Sequence, residues 1–260
     1  MSTIEDFLQK HSLCCFCGGT EPASTIDCQP AKIVFPDKPP PQAAEFPTCA
    51  GCNDQTSADE ALLALVCRYV SSPRHDLASD FEPLRGTFTI VRQRFPGLLE
   101  RMDQGKVWIQ QRGRLVRQSA IDVNQPEVRE SMCRVAAKLA LALYYQNKGT
   151  PAATTCRIKT LWSNRQTLNT FQQVTNLIRV LPQQANSKMG MWKSDESFFL
   201  TYLSDGGRLA SMSIFREAVA LIALLEEGPF QAEDNERWDF VMAPVAKSGI
   251  SVVRVLQHEA

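Results

Sequence analysis

Histidine is scarce in this chain, with three in 260 residues. They stand far apart, at His11, His75 and His258, and isolated histidines are more often surface residues than catalytic ones. None of them is an obvious catalytic histidine, His75 being the most plausible exception because it stands after the finger helix with Arg68 and Arg74 nearby. Net charge is absent as well: 28 lysines and arginines balance 28 aspartates and glutamates. A global basic field for nucleic acid is thereby ruled out, and any basic surface must be local. No stretch approaches the ~20 consecutive apolar residues that a membrane helix needs. The longest candidate, Ala218 to Leu225, is far too short, so no membrane partner is expected. Met1-Ser2-Thr3-Ile4-Glu5-Asp6 carries an acidic pair and no apolar run, unlike a secretory signal. Internal repeats and long low-complexity segments are lacking too.

What is present is an ordinary globular composition, 44% hydrophobic and 22% charged. That is enough to bury a core without help from a metal. The nine cysteines are an odd number, and four of them fall in pairs two residues apart. This favours metal binding in a reducing, cytoplasmic compartment over a disulfide framework.

Those pairs, Cys14 with Cys17 and Cys49 with Cys52, predict one structural zinc site. Two thiolates at this spacing reach the same ion from a tight turn, and two such turns complete a tetrahedron. Cys15 lies between two of the ligands and is the alternative to Cys14. Around the site, residues 3–12 read as a short helix, and Gly18-Gly19 ends the first knuckle. Ser24 to Val34 is rich in β-formers and reads as a hairpin, and Phe35 to Pro41 as a stiff proline loop. Ser57 with Glu60 reads as a capping box opening a helix through Val66. Knuckle, hairpin, knuckle, helix is the order of a treble-clef zinc finger, expected over residues 1–70.

A boundary is expected near Ser71 to Asp76, followed by a larger mixed α+β domain over 76–260. Within it, Thr89 to Arg101 reads as a helix interrupted at Pro96. Lys106–Gln110 and Arg114–Ile121 read as paired strands around Gln111-Arg112-Gly113. Glu127–Gln146 carries the clearest helical period, with a glycine stop at Gly149. Ser163–Val180 reads as a second helix capped at Ser163. Phe198–Leu203, Leu209–Phe215 and Val219–Leu225 are β-rich, the last also compatible with helix, and Ser251–Leu256 reads as an edge strand. The fold class is therefore α+β. The four tryptophans, Trp108 among them, are expected in cores. Cys133 is expected to pack as a small apolar residue, and the acids Glu226-Glu227 and Glu233–Glu236 as surface charge.

Several motifs in order resemble the bacterial HNH endonucleases. They are Cys14-Cys15-Phe16-Cys17-Gly18-Gly19, Ala23-Ser24-Thr25-Ile26-Asp27, Pro30-Ala31-Lys32 with Phe35-Pro36, Phe46-Pro47-Thr48-Cys49-Ala50-Gly51-Cys52-Asn53, and Ser57-Ala58-Asp59-Glu60. The resemblance covers roughly residues 13–62, and the helix ending Lys138 to Tyr145 looks like a segment that follows this finger in some members. It implies a ββα-metal fold braced by four cysteines, cutting DNA or RNA with one catalytic magnesium or manganese ion. In such a centre a histidine base activates water, and an acidic residue and a histidine or asparagine hold the metal. Asp27 takes the acidic place and Asn53 the final ligand place, while the base position holds Cys28. A thiol of pKa about 8.5 leaves only a few per cent thiolate at neutral pH.

The first expectation is thus an HNH-like zinc protein with a degenerate centre that binds nucleic acid or a partner protein. The resemblance extends this to anti-phage defence. The alternative is an active metal-dependent nuclease that uses Asp27 and Asn53 with another base, His75 or Asp59. A third reading is a structural zinc-finger subunit of a complex or homo-oligomer. Arginines concentrate between Arg68 and Arg117, and Arg112, Arg114 and Arg117 are the candidate phosphate contacts.

Overall fold

The computed structural model describes residues 4–35, 44–71, 84–111, 113–164, 188–194, 198–204, 207–216, 219–228, 241–245 and 249–253. These residues form a mixed α+β structure, as expected. It begins with helix α1 (Ile4–Lys10), which His11 fastens to the body: its Nδ1 lies 2.7 Å from the Tyr145 hydroxyl. The first cysteine turn follows. Gly18 and Gly19 both take positive φ, 68° and 73°, which lets the chain reverse tightly enough for Gly19 N–H to reach the Cys14 carbonyl at 3.0 Å. A Cβ on Gly18 would stand 2.8 Å from a Thr154 methyl.

Strand β1 (Thr25–Gln29) comes next. Its hairpin partner is not within Ser24–Val34, as local β-propensity suggests, but β2 (Ala44–Thr48), paired antiparallel with Thr25 opposite Thr48. The intervening Lys32–Val34 is a single 3-10 turn, and the proline loop expected over Phe35 to Pro41 lies, beyond Phe35, outside the described residues. Helix α2 (Ala50–Ser71) then runs without a break. It starts eight residues earlier than the Ser57 capping box predicts. Ser57 sits inside the helix, with its hydroxyl donating back to the Asp54 carbonyl, because Cys49 and Cys52 draw the helix start into the second knuckle.

The boundary expected near Ser71 to Asp76 falls mostly on 72–83, outside the described residues. Beyond it, α3 (Arg85–Arg94) and α4 (Leu98–Met102) are separated at Pro96-Gly97, with Gly97 at φ 73°. Strands β3 (Asp103–Gln111) and β4 (Arg114–Ile121) form a two-stranded ribbon. Helix α5 (Pro126–Lys148) matches its predicted span closely. Proline occupies its first turn, and left-handed Gly149 caps its end, N–H to the Tyr145 carbonyl.

Seven antiparallel strands make the main sheet, in the order β11-β10-β5-β9-β8-β7-β6. They are β5 (Arg157–Asn164), β6 (Lys188–Ser194), β7 (Phe198–Ser204), β8 (Arg208–Phe215), β9 (Val219–Glu226), β10 (Val241–Val245) and β11 (Gly249–Val253). Val219–Leu225 is a strand, and β11 lies at the sheet edge. Ser163 is the seventh residue of β5, paired with Ala220, so it caps no helix. A strand wins there because β9 supplies a full ladder; the rest of the expected helix, within 165–187, lies outside the described residues.

Helix α5 packs on the sheet over β5, β8 and β9, and against α2, which itself reaches β9 and β11. Val135 to Tyr145 is buried on every side, as befits a helix sandwiched between layers. One continuous apolar cluster runs from Cys14, Phe16 and Phe46 through Leu62, Leu65 and Val66 to Leu139, Leu143 and Leu225. Phe35, just after the 3-10 turn, reaches the sheet directly, its ring 5.9 Å from Phe198 and 6.3 Å from Phe215. No helix among the described residues is long and apolar enough to cross a membrane.

Candidate metal centre

The two cysteine turns converge. The ligand atoms of Cys14, Cys17, Cys49 and Cys52 all lie within 4.8 Å of one another. Tetrahedral Zn–S bonds of about 2.3 Å place neighbouring sulfurs ~3.8 Å apart, so the cluster suits a soft divalent ion such as zinc. Backbone geometry prepares it: Phe16 N–H points at Cys14 Sγ (3.4 Å) and Cys52 N–H at Cys49 Sγ (3.5 Å). Cys15 N–H donates to the Pro47 carbonyl at 3.0 Å, tying the first turn to β2. Cys15 is fully buried but is not one of the four converging sulfurs.

As free thiols, Cys14, Cys49 and Cys52 share protons unequally. Cys14 is held down to about 4, chiefly by the hydrogen bond from Cys52 and against its own burial. Cys52, the donor beside that charge, is pushed far up. Burial raises Cys49 as well. A metal ion must displace these protons, so loading at neutral pH is expected to acidify a weakly buffered solution. Affinity is expected to fall as pH drops from about 7 to 5, because protons compete for the thiolates. A metal affinity independent of pH would contradict thiolate ligation.

Beside this cluster lies a group of charges that the sequence did not disclose. Asp27 and Glu60 are buried, and Lys138, from the middle of α5, is wholly inaccessible. The Lys138 ammonium lies 2.5 Å from Asp27 Oδ2 and donates to Glu60 Oε1 and Thr56 Oγ1, both at 2.6 Å. All three donors of the ammonium are therefore used. The Gln29 amide bridges the two carboxylates, 3.3 Å from Asp27 Oδ2 and 3.1 Å from Glu60 Oε1. The Phe16 ring lies 5.2 Å below the ammonium. Thr56 passes the chain of bonds on, donating to the Cys52 carbonyl at 3.0 Å. Burial pulls the lysine pKa down, but the charges of Glu60 and Asp27 outweigh it, and the net shift is upward. Burial, with Asp27 adding, pushes Glu60 up despite the lysine.

The candidate catalytic residues are thus distributed unevenly. Asp27 is engaged by Lys138 and Gln29. Cys28, the next residue on β1, is partly exposed on the opposite face of the strand, at the register position of Glu45. Asn53 is partly exposed in the first turn of α2, its N–H bound to the Cys49 carbonyl. Asp59, one of the alternative bases, is gripped by Arg134 in a two-pronged pair, Nε to Oδ2 and Nη2 to Oδ1, both 2.8 Å. Asp59 is also buried, so its carboxylate faces this guanidinium and not solvent. His75 and His258 lie outside the described residues.

Of the candidate phosphate contacts, Arg112 lies outside the described residues, Arg114 opens β4, and Arg117 is exposed on it. Trp108, expected in the core, is 67% exposed instead. One signal could have found Lys138: it is the sole charge in the run Val135 to Tyr145, and a lysine surrounded by core positions needs buried acids. Compared with family models, curated proteins and solved structures, the chain matches none.

Proposed function

We propose that residues 13–62 form an HNH-like, treble-clef zinc finger whose hydrolytic centre is closed, and that the protein acts by binding nucleic acid without cutting it. The observation that carries this reading is the Lys138 ammonium, 2.5 Å from Asp27 Oδ2. Asp27 is the residue that the resemblance assigns to the catalytic metal. Its carboxylate is instead neutralised by a permanent internal cation, with Gln29 and Glu60 completing the enclosure. A divalent ion would have to expel a lysine from a fully occupied hydrogen-bonding site and strip its own water to do so. The other parts of the centre agree with this: the base position holds a thiol, and Asp59 is committed to Arg134. The order of turn, hairpin, turn and helix, with four sulfurs converging between them, supports the finger and its zinc.

The zinc-loaded full chain is expected to leave supercoiled plasmid and structured RNA intact in magnesium or manganese. Gel electrophoresis should show no product above a protein-free control, and Asp27→Ala should change nothing. Metal-dependent cleavage that disappears in Asp27→Ala would establish the active-nuclease alternative instead. Cys28→His alone should also remain inactive, since Lys138 still fills the acidic side of the centre.

A further inference from the structure

The β3–β4 ribbon is a two-stranded sheet of its own, separate from the main sheet, and its base is closed by the Asp122 N–H to Met102 carbonyl bond of 2.7 Å. Its register defines one face. Trp108 stands directly opposite Arg117, Lys106 is two residues before Trp108, and Leu115 is two residues before Arg117. Residues two apart on a strand share a face, roughly 7 Å apart. All four of these side chains are exposed, Trp108 at 67% and Leu115 at 71%. Among the described residues four large apolar side chains are exposed, Ile4, Leu13, Trp108 and Leu115, and the two most exposed of them share this face with two cations. Over residues 103–121 there are four cations, Lys106, Arg112, Arg114 and Arg117, against one acid. That acid, Asp103, accepts a hydrogen bond from Gly105 N–H at the base of the ribbon. In a chain with no net charge, the positive charge is concentrated where the aromatic surface is exposed.

We infer that this face of the ribbon is a platform for single-stranded nucleic acid, with Trp108 stacking on a base and Lys106 and Arg117 pairing with the flanking phosphates. An unpaired strand exposes both the flat base surfaces that an indole can cover and the backbone charge that cations track. A duplex hides the first. The stacking surface is sequence-tolerant, so no base preference is expected from Trp108 itself. The inference rests on the nucleic-acid reading above and specifies its ligand and its surface.

The test is fluorescence anisotropy with labelled oligo(dT) and oligo(rU) of ~20 nucleotides, using the zinc-loaded full chain at about 50 mM salt. Trp108→Ala should weaken binding ~5- to 150-fold, the range that loss of one stacked base gives, and Trp108→Phe should restore most of it. Arg117→Glu should weaken binding and flatten its dependence on salt. A duplex of the same length should compete poorly. Melting temperatures should match the parent protein, because the side chains changed are exposed. Wild-type affinity in both Trp108→Ala and Arg117→Glu would overturn the platform, as would no binding to any oligonucleotide at this salt, or duplex competing as well as single strand. Loss of self-association in Trp108→Ala, with oligonucleotide affinity intact, would assign the face to a second copy of the chain instead. Plasmid cleavage would sink the closed-centre reading without touching this one, so the two failures are separable.

Discussion

Lys138→Met is expected to cost about 3–5 kcal/mol of stability at neutral pH, because it leaves Asp27 and Glu60 buried together without their cation. Against the ~5–15 kcal/mol that holds a typical domain folded, this is close to the whole margin. Methionine nearly matches the volume of the lysine stem, so the loss is electrostatic and not a cavity effect. The pH dependence identifies it. In the parent protein the Lys138 pKa is raised, so its contribution is fully present below the ordinary lysine value of about 10.4 and is lost as pH rises through the higher folded value. Glu60 works the other way. Its pKa is raised by burial, so its ionised form opposes folding, and that cost grows as pH climbs from the ordinary carboxylate range through the raised value. Removing the ammonium removes the only group that lowers Glu60 by charge. The variant should therefore lose stability more steeply than the parent between about pH 5 and 7 and should recover more of it on mild acidification.

Denaturant midpoints at several pH values would measure this. Adding Asp27→Asn and Glu60→Gln to Lys138→Met should restore much of the loss, since a neutral hydrogen-bonded cluster no longer needs a cation. Manganese offers a second readout. Should it stabilise Lys138→Met but not the parent, the lysine holds a place that a metal can take. A Lys138→Met protein as stable as the parent across this pH range would show that the ammonium does not hold the two carboxylates.

Removing zinc is expected to have the larger effect of the two. Structural zinc binds finger peptides with about 10–16 kcal/mol of apparent free energy, and that energy is folding energy. Here a metal ion on the four cysteines would fix both cysteine turns and the first turn of α2. Its loss should be felt beyond residue 70, because the Cys52 carbonyl accepts from Thr56, which accepts from Lys138 on α5. A strong chelator, or Cys52→Ser, should lower the melting temperature of the whole chain in a single transition. It should also expose Cys14, Cys17 and Cys49 to thiol reagents. Metal analysis should give one zinc per chain before treatment. An unchanged melt after complete metal removal would dismiss the four cysteines as a structural site.

Residue spacing carried some of this information and long-range context the rest. Cys14, Cys17, Cys49 and Cys52 declare themselves because a tetrahedral ion imposes a local spacing. Helix α5 is legible from its period and its glycine stop, and the β3–β4 ribbon from Gly113 between two β-rich runs. The start of α2 was not legible: Ser57 and Glu60 satisfy a local capping pattern, but the second knuckle had already begun the helix. The partner of β1 was obscured because it lies beyond a proline loop, where propensity has no reach. Trp108 shows the same limit, since composition favours burying an indole, whereas on this ribbon it stands in water. Lys138 is the extreme case. Its role depends on two acids 78 and 111 positions earlier in the chain, at Glu60 and Asp27, that only the fold brings beside it.

The continuous core between α2, α5 and the sheet has a practical corollary for fragment work. A peptide ending after Ser71 would keep all four cysteines, yet Leu62, Leu65 and Val66 would face solvent and Asp27 and Glu60 would lose Lys138. Such a piece should chelate metal but remain sticky and poorly ordered. The complementary fragment beginning after residue 83 would expose the apolar flank of α5. Co-expressed, the two halves should find each other and reassemble, much as a split reporter does, with soluble yield of either half depending on the presence of the other.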